Sequence, residues 1–291
     1  MLTKLFNLSQ KKVHYGGYEA NESFKEEWAL RNPNRNNELF KWKDKFLSYD
    51  HTNIEFREWW IQRALDMLEH DEIDGIFIDA LCKVNYARNL VKGHGKAWFE
   101  TAKELRGRIP TGKLLIGNVI RARAATDGNW KYMKYLDGSY LENWKGIGAA
   151  KYAKTLQLMS RTLKGGRIIM LNAPPFHLDD EELNAIPSMD ERYKYLNNPR
   201  FIGFPLGFFL LVVEPHAYIS FHVGVHAKPQ AKCAWDTTRF DALTRKLGKP
   251  LGDYVEEGEH EYTREFEFLK VHVNIKTEQG MLIVKDQKDE L

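Results

Sequence analysis

Ile73-Asp74-Gly75-Ile76-Phe77-Ile78-Asp79 is the stretch that decides the fold. Its apolar residues are β-branched and aromatic, and the run stops on a carboxylate, so it reads as a strand that delivers an acid at its end. The same shape recurs along the chain. Residues 113–118 (Lys-Leu-Leu-Ile-Gly-Asn), 138–143 (Gly-Ser-Tyr-Leu-Glu-Asn) and 167–172 (Arg-Ile-Ile-Met-Leu-Asn) are each a short apolar run closed by a polar residue. Residues 217–223 make a further strand, and 46–50 a short earlier one.

Helical periodicity fills the gaps between these runs. Thr52 and Glu55 have the capping-box spacing, which predicts a helix starting at Thr52. Phe56, Trp60, Ala64 and Leu68 then form one apolar face with Ile61 and Leu65 beside them. Trp98, Ala102 and Leu105 mark the next helix, and residues 147–163 another, closed by Gly165-Gly166. Strands alternating with helices imply a parallel sheet, and this many units in 291 residues imply an α/β fold of the (β/α)8 TIM-barrel type. An open doubly wound sheet is the competitor, but no Gly-x-Gly-x-x-Gly turn follows any strand, which counts against its nucleotide-binding form.

The strand count falls short of a full barrel. Six strands lie from residue 46 onward, and residues 1–17 have no room for two more with their helices, since one βαβ unit takes roughly 30 residues. The first βα unit is therefore expected to be lacking or degenerate, leaving a barrel edge open to pairing in a homo-oligomer. From about Trp235 the pattern changes: residues 248–252 read as a loop, and 262–268, 271–275 and 281–284 as short strands. The expected layout is a barrel over 1–234 and a small C-terminal β-appendage with a charged tail over 235–291.

Composition narrows the partners. Lys plus Arg total 43 against 40 Asp plus Glu, a balance that argues against a nucleic-acid partner. The longest apolar run, 201–213, is broken by Gly203, Pro205 and Gly207, which argues against a membrane span. Two cysteines, Cys82 and Cys233, cannot make a disulfide framework. Aromatic residues reach 13%, a slight lean toward a carbohydrate partner. Residues 1–10 carry no signal peptide, yet the chain ends Lys288-Asp289-Glu290-Leu291, the signal that returns proteins to the endoplasmic reticulum. The two ends agree if a leading segment is missing, which would place the protein in the secretory pathway or the reticulum lumen; otherwise the cytoplasm is expected.

In a barrel of this kind the active-site groups sit at the carboxyl ends of strands. Read in order, those ends are Asp50, Asp79, Asn118, Glu142 with Asn143, and Asn172. Each alone could be a turn former or helix cap. Asp79 and Glu142 together, two βα units apart, form the carboxylate pair that cleaves a glycosidic bond: one attacks or activates water, the other protonates the leaving oxygen. A separation of about 5–5.5 Å would make the enzyme retaining, and about 6.5–9.5 Å inverting. Metal chemistry has little support, because His222 and His226 flank Gly224 after a strand and no His-Glu-x-x-His occurs. No Gly-x-Ser-x-Gly occurs either. Neither a metal nor an organic cofactor is expected.

The ordered set of motifs is similar to known families. Tyr49-Asp50-His51-Thr52-Asn53, Arg57-Glu58-Trp59-Trp60 and the Asp74–Asp79 strand resemble the glycoside-hydrolase-like TIM-barrel families, distant relatives of the α-galactosidase, α-glucosidase and dextranase superfamily. Tyr140-Leu141-Glu142-Asn143-Trp144, Gly248-Lys249-Pro250-Leu251-Gly252 and Tyr262-Thr263-Arg264-Glu265-Phe266 extend the resemblance across residues 24–284. It implies that Asp79 is the nucleophile and that Glu142 is the acid/base, as in the dextranase-like members. The chain departs from the family before the aromatic segment His14-Tyr15-Gly16-Gly17-Tyr18, where such families have a first strand and helix.

Other residues are candidates for sugar contact. Asp50, Asn118, Asn143 and Asn172 could bond sugar hydroxyls, and Lys83 could hold an acidic sugar or tune the nucleophile. Tyr15, Tyr18, Trp28 and Trp144 could line the cleft, whereas Trp60 belongs to the helix–sheet core, Cys82 is a small hydrophobe and Glu214 a helix terminus. The expected function is therefore a metal-independent glycosidase acting on a poly- or oligosaccharide. The alternatives are a glycan-binding protein without turnover, or a polysaccharide lyase in which Lys83 with Arg121 or Arg123 neutralises a uronate.

Overall fold

The computed structural model describes residues 5–9, 25–42, 46–47, 49–79, 92–120, 130–142, 144–178, 180–221 and 236–285. The chain divides into two compact units, Met1–Ile120 with Asn129–Ser139, and Arg121–Gly128 with Tyr140–Leu291.

The first unit is built on parallel strands hydrogen-bonded in the order β1 (Leu5–Ser9), β2 (Gly75–Asp79), β3 (Leu114–Gly117) and the start of β4 (Gly138–Leu141). Ile76 and Ile78 of β2 and Leu115 and Ile116 of β3 are buried. Two helices, α1 (Ile54–Leu68) and α2 (His94–Arg108), pack on each other, and α1 also packs on β2. The buried residues of α1 are Phe56, Trp60, Ile61, Ala64 and Leu68, the face its periodicity marks out. Trp98, Ala102 and Leu105 of α2 are buried likewise, and the rings of Trp60 and Trp98 meet edge-on at 5.7 Å.

Two expectations are corrected here. The cap of α1 is Asn53, whose side chain accepts from the Phe56 N–H at 3.0 Å. Thr52 instead gives its N–H (2.8 Å) and its hydroxyl (2.6 Å) to Asp50 Oδ1, an Asx turn that delays the helix by one residue. The second correction concerns residues 46–50, which do not join the parallel sheet. Phe46–Leu47 pairs antiparallel with Lys41–Trp42, Tyr49 bridges Ala29, and the Asp50 N–H goes to Trp28 O at 2.8 Å. With these backbone groups committed to neighbouring segments, the place beside β2 is taken by β1.

Two histidines are buried in this core. His51 packs against Phe56, Trp60 and Trp98, and its ring lies 5.8 Å from that of His94, edge-on. The Thr101 hydroxyl donates to Ala97 O at 3.0 Å, so its lone pair is left to accept from His51 Nδ1 at 3.2 Å. His94 Nε2 donates to Tyr49 O at 3.2 Å. These bonds place one proton on each ring, and His51 Nε2 and His94 Nδ1 find no partner among the described residues. Burial, then the neighbouring His94 and Arg57, hold His51 well below the usual 6.5; burial also lowers His94.

The second unit carries the end of β4, then β5 (Ile168–Ala173) and β6 (Ala217–Phe221), with Ile169 opposite Ala217 in a parallel pair. Helix α3 (Ala149–Lys164) packs on β5 and buries Tyr152, Leu156, Met159 and Leu163. After α4 (Asp180–Ala185) and α5 (Met189–Leu196) comes α6 (Pro199–Leu210). An antiparallel sheet of β7 (Val255–Gly258), β8 (Glu261–Glu265), β9 (Leu269–Asn274) and β10 (Gln279–Val284) completes the unit in sequential order. The appendage thus has one strand more than the sequence reading, because β7 alternates too little to stand out.

The apolar run 201–213 resolves into α6 and its exit. The helix is apolar all round because β5, β9 and β10 all pack against it. Contact is closest where a Cβ on Gly203 would lie 2.4 Å from Gly280 O. Beyond the helix, the buried Arg264 donates to Val213 O (2.9 Å) and Gly252 O (3.0 Å) and faces Glu214 at 3.4 Å. Glu214 is not the helix terminus expected of it: the helix ends at Leu210 with Leu211 as its cap, and Glu214 lies in the exit that follows. No helix among the described residues is long and apolar enough to cross a membrane.

Two outcomes are expected. Gly203→Ala forces the helix off β10 and lowers stability by about 1–3 kcal/mol in urea denaturation. The buried histidines bind protons more weakly in the folded than in the unfolded chain, so their contribution is intact above the unfolded value of 6.5 and is lost as pH falls below it. The melting temperature should therefore drop between about pH 7 and pH 5, with a shallower drop in His51→Gln than in the wild type.

Candidate active site

The clearest polar constellation of the first unit is where β2 and β3 end. Ile78 pairs with Gly117, and the Asn118 N–H continues the ladder to Ile78 O at 2.9 Å. Asp79 and Asn118 are thereby neighbours, and Asn118 Nδ2 donates to Asp79 Oδ1 at 3.0 Å. Asp79 is half-buried; Asn118 is 1% exposed. Asn118 therefore has its amide turned to the carboxylate, and the role expected for it is corrected. It orients Asp79 instead of reaching sugar hydroxyls from an open surface.

The turn after Asn118 is held by Ser139 on β4, whose hydroxyl accepts from the Ile120 N–H at 3.1 Å. Asp50 has a different arrangement. Its Oδ1 is taken by both donors of Thr52, the turn-forming role a strand-end aspartate often has. Trp28 is buried, with its ring 5.1 Å from Trp59 and its indole N–H 3.3 Å from Glu55 Oε2. It is a packing residue and not a sugar platform.

In the second unit Glu142 follows the buried Leu141 at the end of β4 and is half-buried. The segment beyond it is fixed by Trp144, whose indole N–H donates to Asn172 O at 2.7 Å. The Trp144 ring lies 5.1 Å from both Phe176 and Phe208 and is fully buried. Its expected place on the cleft wall is corrected accordingly, since no face of the ring is open. Asn172 itself is half-buried, and its Oδ1 is enclosed with no hydrogen-bond partner among the described residues. Tyr15, Tyr18, Lys83 and Asn143 lie outside the described residues, as do Cys82, His222, His226, Arg121, Arg123 and the Lys288–Leu291 ending.

A residue the sequence reading passed over completes this segment. Tyr152 on α3 accepts from the Gly146 N–H at 2.9 Å and donates to Glu278 Oε1 at 2.7 Å. Burial and the bond to Glu278 push its hydroxyl well above the usual phenol value. The signal was the Gly146-Ile147-Gly148 turn just before a helix, which needs a partner for its bare N–H groups. Among the described residues no three His, Cys, Asp or Glu side chains gather as a metal site would need.

This chain belongs to a family described as hypothetical glycosyl hydrolase family 15, whose model matches residues 5–270. No curated protein matches it. Among solved structures it is similar to the glycoside hydrolase domain of PelA from Pseudomonas aeruginosa, at 13% identity and TM-score 0.44 over 66% of this chain and 74% of that one. It is also similar to an α-amylase from Geobacillus thermoleovorans, at 13% identity and TM-score 0.46 over 93% of this chain and 65% of that one. A GH36 α-galactosidase from Geobacillus stearothermophilus matches at 11% identity and TM-score 0.44, over 92% of this chain and 36% of that one. The chain spans less than two thirds of the amylase and galactosidase lengths.

Trp144→Phe tests the anchoring of the Glu142 segment. Removal of the indole N–H leaves Asn172 O without its donor and should cost about 1–3 kcal/mol in denaturant unfolding while the aromatic packing survives.

Proposed function

We propose that the protein is a retaining glycoside hydrolase acting on a poly- or oligosaccharide from a (β/α)8-type barrel, with Asp79 as nucleophile and Glu142 as acid/base. The observation that carries the reading is the Asn118–Asp79 hydrogen bond at the carboxyl end of adjacent parallel strands. A nucleophilic carboxylate must keep one oxygen aimed at the anomeric carbon, and an amide N–H on the other oxygen does this without neutralising the charge.

In the first step Asp79 attacks the anomeric carbon as the glycosidic bond breaks, and Glu142 passes its proton to the departing oxygen. In the second step Glu142 takes a proton from water, which displaces Asp79 and frees the sugar with its original configuration. Membership of a glycosyl hydrolase family supports the reaction class.

Asp79→Asn should abolish turnover on a polysaccharide panel while glycan binding persists. Glu142→Gln should lose natural substrates but keep activity on an activated aryl glycoside, which needs less acid assistance. Asn118→Ala should lower kcat about tenfold with little change in KM, the loss of about one oriented hydrogen bond. Proton NMR of the first product reads the anomer; an inverted anomer removes the nucleophile role from Asp79. Equal glycan binding by wild type and both carboxylate variants, with no reducing ends released, would make this a binding protein.

A further inference from the structure

In the second unit a hollow of about 590 Å³ opens between the start of α6 and the antiparallel sheet. That size falls within the usual range for small-molecule sites, about 300–1,000 Å³. It is lined by Pro199 and Arg200 of α6, Glu261 of β8, His272 of β9, Glu278 of the β9–β10 turn and Gln279 at the start of β10. His177, after β5, closes it through a 2.9 Å bond between its Nε2 and Glu278 O.

Two of these residues hold backbone that side chains rarely adopt: His177 has φ 53° and Glu278 φ 55°. Such conformations persist where the surroundings enforce them and cluster at ligand sites. Here both line one hollow and bond to each other.

The polar groups suit a ligand without net charge. Glu278 receives the Tyr152 hydroxyl at 2.7 Å, and Glu261 receives Asn274 Nδ2 at 3.2 Å with His272 at 3.7 Å, so acidic side chains line the hollow and disfavour an anion. Arg200 has no carboxylate partner among the described residues, and its guanidinium repels a cation. A ligand that gives and takes hydrogen bonds without net charge meets neither repulsion. Its hydroxyls can accept from Arg200 and Gln279 and donate to the remaining lone pairs of the carboxylates. Pro199 and Met281 offer the apolar contact that a sugar's C–H face needs.

We propose that this hollow is a second saccharide site, taking a neutral, hydroxyl-rich sugar end. The choice of a sugar rests on the glycosidase reading; the hollow and its charge pattern do not.

Met281 lines the hollow and is 58% exposed, so its methyl group is a local reporter. The full chain, labelled with ¹³C-methyl methionine, would be titrated with maltotriose, isomaltotriose, cellotriose and chitotriose, and with glucuronate and glucosamine as charged controls. At least one neutral trisaccharide is expected to shift the Met281 methyl saturably and to bind more tightly than either control. Arg200→Ala and Gln279→Ala should each weaken it at least tenfold. The proposal is overturned if no neutral probe shifts Met281, if a charged control binds more tightly, or if Arg200→Ala binds as the wild type does. Turnover is measured separately: a wild type that releases no reducing ends removes the glycosidase reading, while the Met281 titration judges the hollow itself.

Discussion

β2 and β3 run parallel with Gly75 opposite Leu114 and Ile78 opposite Gly117, and from this pairing the candidate site takes its geometry. The two backbones approach so closely at the lower end that a Cβ on Gly75 would lie 2.3 Å from Leu114 O. Around that contact the Leu114 N–H reaches Asp74 O at 2.9 Å and Lys113 Nζ reaches Ile73 O at 2.6 Å. On the other side of β3, the Asp137 carboxylate accepts the Leu115 N–H at 2.7 Å and pairs with Arg106 of α2. A slip of one residue would reverse every side chain of β3 and separate Asn118 from Asp79. A glycine at the foot of a strand therefore governs a hydrogen bond at its head.

What could be read from the sequence was whatever a repeating local pattern encodes. The buried faces of α1 and α2 follow from spacing alone, and strand ends were legible because apolar runs stop on polar residues. Asp79 and Asn118 were both named, but their contact was not, since adjacency in a parallel sheet depends on strand order across intervening segments. The strand at 46–50 was misplaced for the same reason: its composition is right, and only the bonds from Tyr49 and Asp50 to residues 28–29 show where it goes. Trp28 and Trp144 were misread because an aromatic ring looks the same in a sequence whether it faces a cleft or fills a core. The left-handed backbone at His177 and Glu278 has no sequence signature, since neither position is a glycine or an asparagine.

The second unit solves a different problem, that of holding an irregular segment after Glu142. Such a segment exposes backbone groups that must be paired wherever water is excluded. Trp144 bonds to Asn172 O, Lys145 Nζ to Leu178 O at 2.8 Å, and the Gly146 N–H to the Tyr152 hydroxyl. Tyr152 is in turn held by Glu278, from the turn between β9 and β10. The C-terminal sheet thus does more than cover α6, for one of its turns supplies an acceptor on which the Glu142 segment indirectly rests.

The carboxylates of the protein sort by what meets them. Asp137 faces a guanidinium and a backbone N–H, and Asp50 both donors of a single threonine. Each arrangement ties the charge to the fold, through an ion pair in one case and a turn in the other. Asp79 sits at the end of a buried strand and accepts from the buried Asn118 amide on one oxygen, a bond that fixes the direction of the carboxyl group. An amide donor in that position holds the oxygen it meets and carries no charge of its own.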